Sequence, residues 1–236
     1  MRIEGHGALT VVLEAGLGDT LDVWADVQPQ IAASCTRTIA YTRAGYPGSD
    51  PASGPRDAAT IVSELRWELK RRGIPPPYVL VGHSLGGLLM QYFARQYPDE
   101  IKGLLLVDST HWNQHLHLGP EASDAFGRGR TVLFLPWITQ RELIDSTRAG
   151  EQVDVSPHAG GVPTIVLSRT RALRGETPAS QALAEELQDE IAAAFPSAQH
   201  VRVADSGHYI QRDRPDVVVA AARKLAGCTA AVSKIP

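Results

Sequence analysis

Residues 78–87 read YVLVGHSLGG, an apolar run followed directly by a glycine-rich segment that contains one serine. The next stretch, LLMQYFARQY (88–97), is rich in helix-forming residues and ends before Pro98. A Gly-x-Ser-x-Gly sequence between a strand and a helix forms a tight turn, in which the glycines avoid clashes between neighbouring Cβ atoms and the serine hydroxyl projects outward. This segment therefore predicts a nucleophilic serine, Ser84.

Short apolar runs alternate with longer amphipathic segments along the chain, which predicts βα units and a mostly parallel sheet. Their high content of valine, isoleucine and leucine is typical of strands buried on both faces. We expect strands at 8–16, 37–42, 78–83, 103–109, 163–168 and 200–206, and helices at 57–72, 85–97, 180–194 and 215–226. The sequence thus indicates an α/β fold with about six strands.

One connection is much longer than the others. Residues 111–161 separate the fourth predicted strand from the fifth, whereas connections in compact domains are usually only a few residues long. Such an insertion commonly covers a binding site. We predict a small helical cap at 111–161, inserted into a core made of residues 1–110 and 162–236.

Composition narrows the function classes. The 236 residues are 43% hydrophobic and 21% charged with a net charge of −3, and no basic stripe suggests nucleic-acid binding. No apolar run approaches the ~20 residues that cross a bilayer, so we expect no membrane association. The N-terminal residues do not resemble a secretion signal, and we expect a cytoplasmic protein.

The chain resembles the α/β-hydrolase family from about residue 8 to residue 226. Besides GHSLGG, the resemblance is carried by LEAGLGDTLDVW, AYTRAGYPGSD, LLLVDSTH and SGHYIQRDRPDVV, which occur in the order of the family's landmarks. It implies the three-layer α/β-hydrolase fold and a catalytic histidine after the last strand, a position that His208 occupies. Family members usually begin with two further strands in a hairpin, and only a few residues precede the first strand here.

The acid that orients the histidine is less clearly marked. Most family members place it after the next-to-last strand, where this chain reads LSRTRALRG (167–175) without a carboxylate. Some members take it from the preceding strand end, which corresponds to Asp108 in LLLVDS. Asp108 is therefore the predicted acid, and Glu176 and Asp205 are the alternatives.

Backbone N–H groups are expected to stabilise the oxyanion of the reaction. The resemblance assigns one to Leu85, directly after the nucleophile, and the other to Leu17 in the loop after the first strand. Arg43, in YTRAGYPGSD, is interpreted as a loop arginine that ties its turn to neighbouring segments. Residues expected to contact the substrate are Gly16, His83, His111, Phe134 and Trp137.

No cofactor is predicted. The histidines of HWNQHLH (111–117) have a spacing that matches no common metal motif, and Gly16-x-Gly18 lacks the dinucleotide-binding pattern. Cys35 and Cys228 are either two free thiols or one disulfide bond, because the two helices next to them are expected on the same face of the sheet.

These features predict a carboxylesterase that cleaves small or medium esters through an acyl-enzyme formed on Ser84. A thioesterase, a lactonase and a C–C bond hydrolase use the same residues and remain alternatives. A ligand-binding receptor with little turnover is the alternative from a different functional class. Dehalogenases and epoxide hydrolases are disfavoured, because they need a carboxylate nucleophile where this chain has serine.

Overall fold

The computed structural model describes residues 1–34, 36–117 and 134–228. The described strands are β1 (Arg2–Gly5), β2 (Thr10–Glu14), β3 (Arg37–Ala40), β4 (Tyr78–His83), β5 (Ile101–Val107), β6 (Thr164–Arg169) and β7 (Gln199–Val203). They form one sheet in the order β1-β3-β2-β4-β5-β6-β7. β1 is antiparallel to β3, and the other neighbouring strands are parallel.

Helices cover both faces of this sheet. The described helices are α1 (Gln28–Ala32), α2 (Ala58–Arg71), α3 (Leu85–Gln96), α4 (Gln114–His117), α5 (Trp137–Asp154), α6 (Pro178–Ala193), α7 (Ile210–Asp213) and α8 (Pro215–Ala226). One apolar core lies between the sheet and α2, α3, α5 and α6, and a second lies between the sheet and α1, α7 and α8. The predicted three-layer α/β architecture is confirmed.

The sheet contains seven strands, where the sequence indicated about six. The additional strand is β1, whose residues alternate between half-buried and exposed positions. Its sequence, RIEG, contains two charged residues and so lacks the apolar run by which the other strands were recognised. An edge strand tolerates this composition because one of its faces is open to solvent.

Local signals explain where the helices begin and end. The Asp57 carboxylate caps α2 by accepting the N–H of Thr60 at 3.0 Å. α8 begins with Pro215 and is followed by Gly227 in the left-handed conformation, with φ of +70°. These bounds agree with the predicted helices 57–72 and 215–226.

Part of the predicted cap is described. Within residues 111–161, the structure describes 111–117 and 134–161, and its long helix α5 packs against the layer that contains α2 and α3. Residues 118–133 lie outside the described part, so the division into core and cap stays a prediction. No helix in the described ranges combines the length and the apolar character needed to cross a membrane.

The prediction for the two cysteines falls partly on Cys35, which lies outside the described residues. Cys228 directly follows α8 and the glycine that ends it, and its side chain is buried. It is not a free thiol.

The parallel strands bring several loops to one edge of the sheet. β2, β4, β5, β6 and β7 all end at the same edge, where ligands of open α/β sheets usually bind. The segments that follow these five strands contain the predicted site residues Leu17, Ser84, Asp108, Glu176 and His208.

Candidate active site

Ser84 lies between β4 and α3 in a backbone conformation that residues other than glycine rarely adopt, with φ of +53° and ψ of −121°. Its N–H is bonded to the Val107 carbonyl on β5 at 3.1 Å. A Cβ added at Gly82 would lie 2.5 Å from the Gly86 carbonyl oxygen, and one at Gly86 would lie 2.5 Å from two carbonyl oxygens of the β2 end. The two glycines are therefore required by the tight packing of this turn.

His208 and Asp108 are joined by a hydrogen bond. The distance between His208 Nδ1 and Asp108 Oδ2 is 2.6 Å. Because an ionised carboxylate only accepts hydrogen bonds, Nδ1 carries the proton and Nε2 of the neutral ring is left with a free lone pair. The Asp108 side chain is 8% exposed, whereas that of His208 is 30% exposed. The imidazole is thus fixed from the buried side and open on the other.

The two alternative acids are placed differently. Both carboxylate oxygens of Glu176 bind Arg169, at 2.9 and 2.5 Å, and one also accepts the N–H of Leu173 at 2.6 Å. Asp205 lies exposed in the turn after β7, with φ of +57°. The structure brings Asp108 to the His208 ring and directs Glu176 to an arginine.

Arg169 occupies the end of β6, close to where the family usually places its acid. Its backbone N–H binds Asp108 Oδ1 at 3.2 Å, and its Nε lies 3.5 Å from Asp108 Oδ2. Sequence reasoning noted an arginine there but assigned it no role. The signal that could have revealed this role of Arg169 was LSRTRALRG itself, which has arginines but no carboxylate. An arginine at this strand end can support an acid at the end of the neighbouring strand.

A cavity of about 610 Å³ connects these residues. Ser84, His208 and Asp108 all line it, together with Leu17 and Leu85. Its apolar lining residues include Trp112, Leu143, Leu173, Leu183 and Leu187. Its polar lining residues include Gln114, Ser146, Ser180, Gln181 and Gln188. The structure thus gathers the predicted nucleophile, base and acid around one space of substrate size.

The peptide group that follows Ser84 has a fixed orientation. The Ser84 carbonyl oxygen accepts N–H groups from Gly87 at 2.9 Å and from Thr110 at 3.0 Å. Because a trans peptide is planar, the N–H of Leu85 points away from that carbonyl. Leu85 is also the first residue of α3, where backbone N–H groups have no partner inside the helix and favour negative charge.

His83 does not line the cavity, contrary to its predicted contact with substrate. Its side chain is 1% exposed, and Nε2 donates to the backbone carbonyl of His208 at 3.0 Å. Burial lowers the pKa of His83 well below its usual value, and the nearby His208 and Arg212 lower it further. A neutral, buried His83 therefore supports the loop that carries His208 through this hydrogen bond.

Gly16 is also required for a reason other than substrate contact. A Cβ at this position would lie 2.9 Å from His83 Nδ1 and 3.1 Å from Asp19 Oδ2. Gly16 is buried and is not among the residues that line the cavity. The absence of a side chain at Gly16 allows His83 to pack directly against the loop after β2.

The remaining predicted contact residues divide into two groups. His111 lines the cavity, with its Nε2 3.1 Å from Glu190 Oε2 and its ring stacked on Trp112. The side chains of Phe134 and Trp137 are not part of the described cavity wall, because these residues are 88% and 62% exposed. Within the first turn of α5, Ile138 and Thr139 face the core instead of Trp137.

A buried group of charged side chains lies behind the Glu14–Gly18 segment. Arg43 is bonded to Glu14 on β2 at 2.8 Å and to Glu142 on α5 at 2.7 Å, and all three side chains are almost completely buried. The interpretation that Arg43 ties its turn to neighbouring segments is confirmed by these bonds. Glu142 and Tyr46, which are bonded at 2.6 Å, were not recognised from the sequence.

His200 is bonded to an aspartate, as His208 is, and it also contacts a serine. Ser168 on β6 is 2.8 Å from His200 Nε2, and His200 Nδ1 is 2.9 Å from Asp189 Oδ1 on α6. Ser168 also lines the cavity, although the residue is only 3% exposed. Burial lowers the pKa of His200, Arg202 lowers it further, and Asp189 partly opposes this shift.

The described residues contain no group of three or more His, Cys, Asp or Glu side chains arranged to hold a metal ion. The side chains of His115 and His117 lie outside the described part of the chain, so the prediction on HWNQHLH is tested only at His111.

Comparison with known proteins identifies the family of this chain. The family described as alpha/beta hydrolase fold matches residues 10–163. The Bacillus subtilis (strain 168) protein YqjL is 27% identical over 224 residues, which cover 91% of this chain and 82% of the relative. The protein named "Putative carbamate hydrolase RutD" from Klebsiella pneumoniae (strain 342) is 26% identical over 241 residues, covering 86% and 85%.

The structure of a thermophilic esterase from Thermogutta terrifontis is also similar. Its TM-score is 0.65 at 19% identity, over 96% of this chain and 92% of that one. Several other curated relatives are matched over only 12 to 34% of their own length. The chain belongs to the α/β-hydrolase fold family, as its sequence motifs predicted.

Proposed function

We propose that this protein is a serine hydrolase that cleaves carboxylic esters, with Ser84 as nucleophile, His208 as base and Asp108 as the acid that orients it. The observation that carries the proposal is the 2.6 Å bond between His208 and Asp108 at the wall of the cavity that Ser84 also lines. The esterase named above shares the fold, which is consistent with this activity.

The reaction follows the chemistry of the three side chains. Ser84 Oγ attacks the ester carbonyl carbon while His208 Nε2 takes the serine proton. The N–H groups of Leu17 and Leu85 stabilise the oxyanion of the tetrahedral intermediate. His208 then donates the proton to the departing alcohol, which leaves an acyl group on Ser84. A water molecule, deprotonated by His208, then attacks the acyl carbon. The bond from this carbon to Ser84 Oγ breaks, His208 returns the proton to Oγ, and the acid is released.

The cavity supports esters of small to medium size. Its volume of about 610 Å³ is in the range of pockets that enclose small organic ligands. Its apolar lining residues suit an acyl chain or a ring, and its polar lining residues offer partners to hydrogen-bonding groups of the ester.

The direct test compares wild type with Ser84→Ala. We expect the wild type to hydrolyse p-nitrophenyl acetate and butyrate and to react with a fluorophosphonate probe at Ser84, located by mass spectrometry of the labelled peptide. Ser84→Ala removes the nucleophile and should lower kcat on the order of 10⁶-fold, as in other serine hydrolases. A folded wild type that is neither active nor labelled would contradict the proposal and favour the ligand-binding alternative.

A further inference from the structure

We infer that Arg43 is a positioning residue that aims one oxyanion donor, the N–H of Leu17, and connects it to helix α5. This inference rests on the proposed function and adds a component to the same site. The Glu14–Gly18 segment contains Leu17, and it is bound by Arg43, which is not among the residues that line the cavity.

The contacts of Arg43 act directly on the peptide group of Leu17. Arg43 Nη2 donates to the Gly16 carbonyl at 2.8 Å, and Nη1 donates to the Ala15 carbonyl at 2.7 Å. The Gly16 carbonyl and the Leu17 N–H belong to one planar trans peptide, so they point in opposite directions. Fixing the carbonyl on the guanidinium therefore directs the N–H away from Arg43. Leu17 itself lines the cavity beside Ser84.

The Glu14–Gly18 segment is also held at Gly18, the residue that follows Leu17. The N–H of Gly18 donates to the Tyr46 hydroxyl at 3.0 Å. That hydroxyl donates to Glu142 Oε2 at 2.6 Å, and Glu142 is the carboxylate that binds Arg43. Both peptide neighbours of Leu17 are thus linked to the same glutamate on α5. The next residue of α5, Leu143, belongs to the cavity wall.

The arginine fork is fully used. Its five N–H groups make five bonds: Nε and Nη2 each bind Glu142, Nη1 binds Glu14, and the remaining two bind the Ala15 and Gly16 carbonyls. A lysine has the same charge but only three donors on one nitrogen, so it cannot hold both carboxylates and both carbonyls.

The electrostatics keep this fork charged. Burial opposes the charge on Arg43, but Glu142 and Glu14 outweigh it and raise the pKa of Arg43 well above its usual value. Buried ion pairs are costly to desolvate and are weak evidence of added stability. The orientation of the Glu14–Gly18 segment is a specific consequence of this arrangement that an apolar replacement could not supply.

The test compares Arg43→Lys with Arg56→Lys. Arg56 is a matched control because its side chain is also buried, but its fork binds Glu64 on α2 at 2.9 Å and does not reach the Glu14–Gly18 segment. We expect Arg43→Lys to lower kcat by about 10²-fold, the low end of the loss of one oxyanion donor, with little change in KM. Arg56→Lys should retain kcat within about twofold.

A second measurement separates aiming from general stability. The affinity for a trifluoromethyl ketone, which forms a tetrahedral adduct on Ser84, should fall in Arg43→Lys in parallel with kcat/KM. Binding of an intact ester to the same variant in the Ser84→Ala background should not change. Equal losses of activity in Arg43→Lys and Arg56→Lys that follow thermal stability would overturn the inference.

Tyr46→Phe provides a milder variant if Arg43→Lys does not fold. It removes only the hydroxyl between Gly18 and Glu142, and we expect a lower kcat at unchanged KM. An active wild type with an unaffected Tyr46→Phe would overturn the positioning role alone. An inert wild type would overturn the proposed function and this inference together.

Discussion

Ser84 and Ser168 both line the cavity, but we propose only Ser84 as the nucleophile. Ser168 has a short bond to His200, and its three side chains have the distances of a catalytic triad. Ser84 differs in its backbone: it occupies a strained turn before α3, whereas Ser168 lies within β6. Side-chain distances alone therefore do not identify the site.

The two serines also differ in the backbone N–H of the residue that follows each of them. The N–H of Leu85 lies at the start of α3 beside the cavity, where it can bind an oxyanion. The corresponding N–H after Ser168 belongs to Arg169, and it is already bonded to Asp108 Oδ1 at 3.2 Å. An oxyanion at Ser168 would meet a carboxylate instead of a donor. The backbone groups therefore favour Ser84 over Ser168 as the proposed nucleophile.

Within this comparison, the largest effect should come from neutralising Asp108, with the same change at Asp189 as its control. Asp108→Asn replaces the acceptor of His208 Nδ1 by an amide that favours the wrong tautomer, and kcat for p-nitrophenyl butyrate should fall by about 10⁴-fold. Asp189→Asn makes the same change at His200, outside the cavity wall, and should alter kcat by less than about twofold.

Glu176→Gln completes this comparison, since Glu176 was the alternative acid. Its carboxylate binds Arg169, so neutralising it should have a smaller effect than Asp108→Asn. If Glu176→Gln or Asp189→Asn lowered kcat as much as Asp108→Asn, the assignment of the acid would be wrong.

An intermediate effect should follow from filling the space of the elbow. Gly82→Ala would place a Cβ against the backbone of Gly86 and Gly87, which cannot move aside without displacing Ser84. We expect a loss of about 1–3 kcal/mol in the free energy of unfolding, measured with urea. Gly161→Ala is the control, because no atom lies within 4 Å of its added Cβ. Equal stability of the two variants would contradict the packing of the elbow.

The smallest effect concerns pH and His200. Because its folded-state pKa lies below 6.5, the unfolded chain binds the proton more readily. Its contribution to stability is present above pH 6.5 and is lost as pH falls toward the folded pKa. His200→Gln should therefore reduce the slope of the unfolding free energy against pH between pH 7 and pH 5. The reduction should correspond to at most about one bound proton per molecule. The same substitution at exposed His6 controls for the loss of a histidine, and an unchanged slope in His200→Gln would contradict the shift.

Sequence reasoning predicted the fold, which is confirmed, and three site residues that the structure brings to one cavity, because each has a local signal. GHSLGG marks a turn that few other sequences can make, and SGHYI follows the last apolar run. Asp108 could be proposed because the usual acid position has no carboxylate. These signals depend on short segments and on the order of strands, both of which can be read along the chain.

The residues that were misplaced depend on contacts between distant segments. His83 was expected in the cavity because it adjoins Ser84, but the bond to the His208 carbonyl turns it inward. Phe134 and Trp137 were predicted to contact the substrate, but Trp137 at the start of α5 and Phe134 just before this helix are exposed at the surface. Glu142 is 99 residues from Arg43, and no local pattern links them. Glu14 alone gave a hint, as a carboxylate at the end of a buried strand.

The position of the proposed acid, Asp108, directly after β5 has an evolutionary consequence. Ser84 and Asp108 end neighbouring strands and share one ladder, in which the Ser84 N–H binds the Val107 carbonyl. The loop after β6, which in this chain has no acid to hold, supplies residues 173–177 to the cavity wall. Insertions and deletions there can reshape selectivity while the distance between nucleophile and acid is preserved, so substrate preference is free to diverge among descendants of this scaffold.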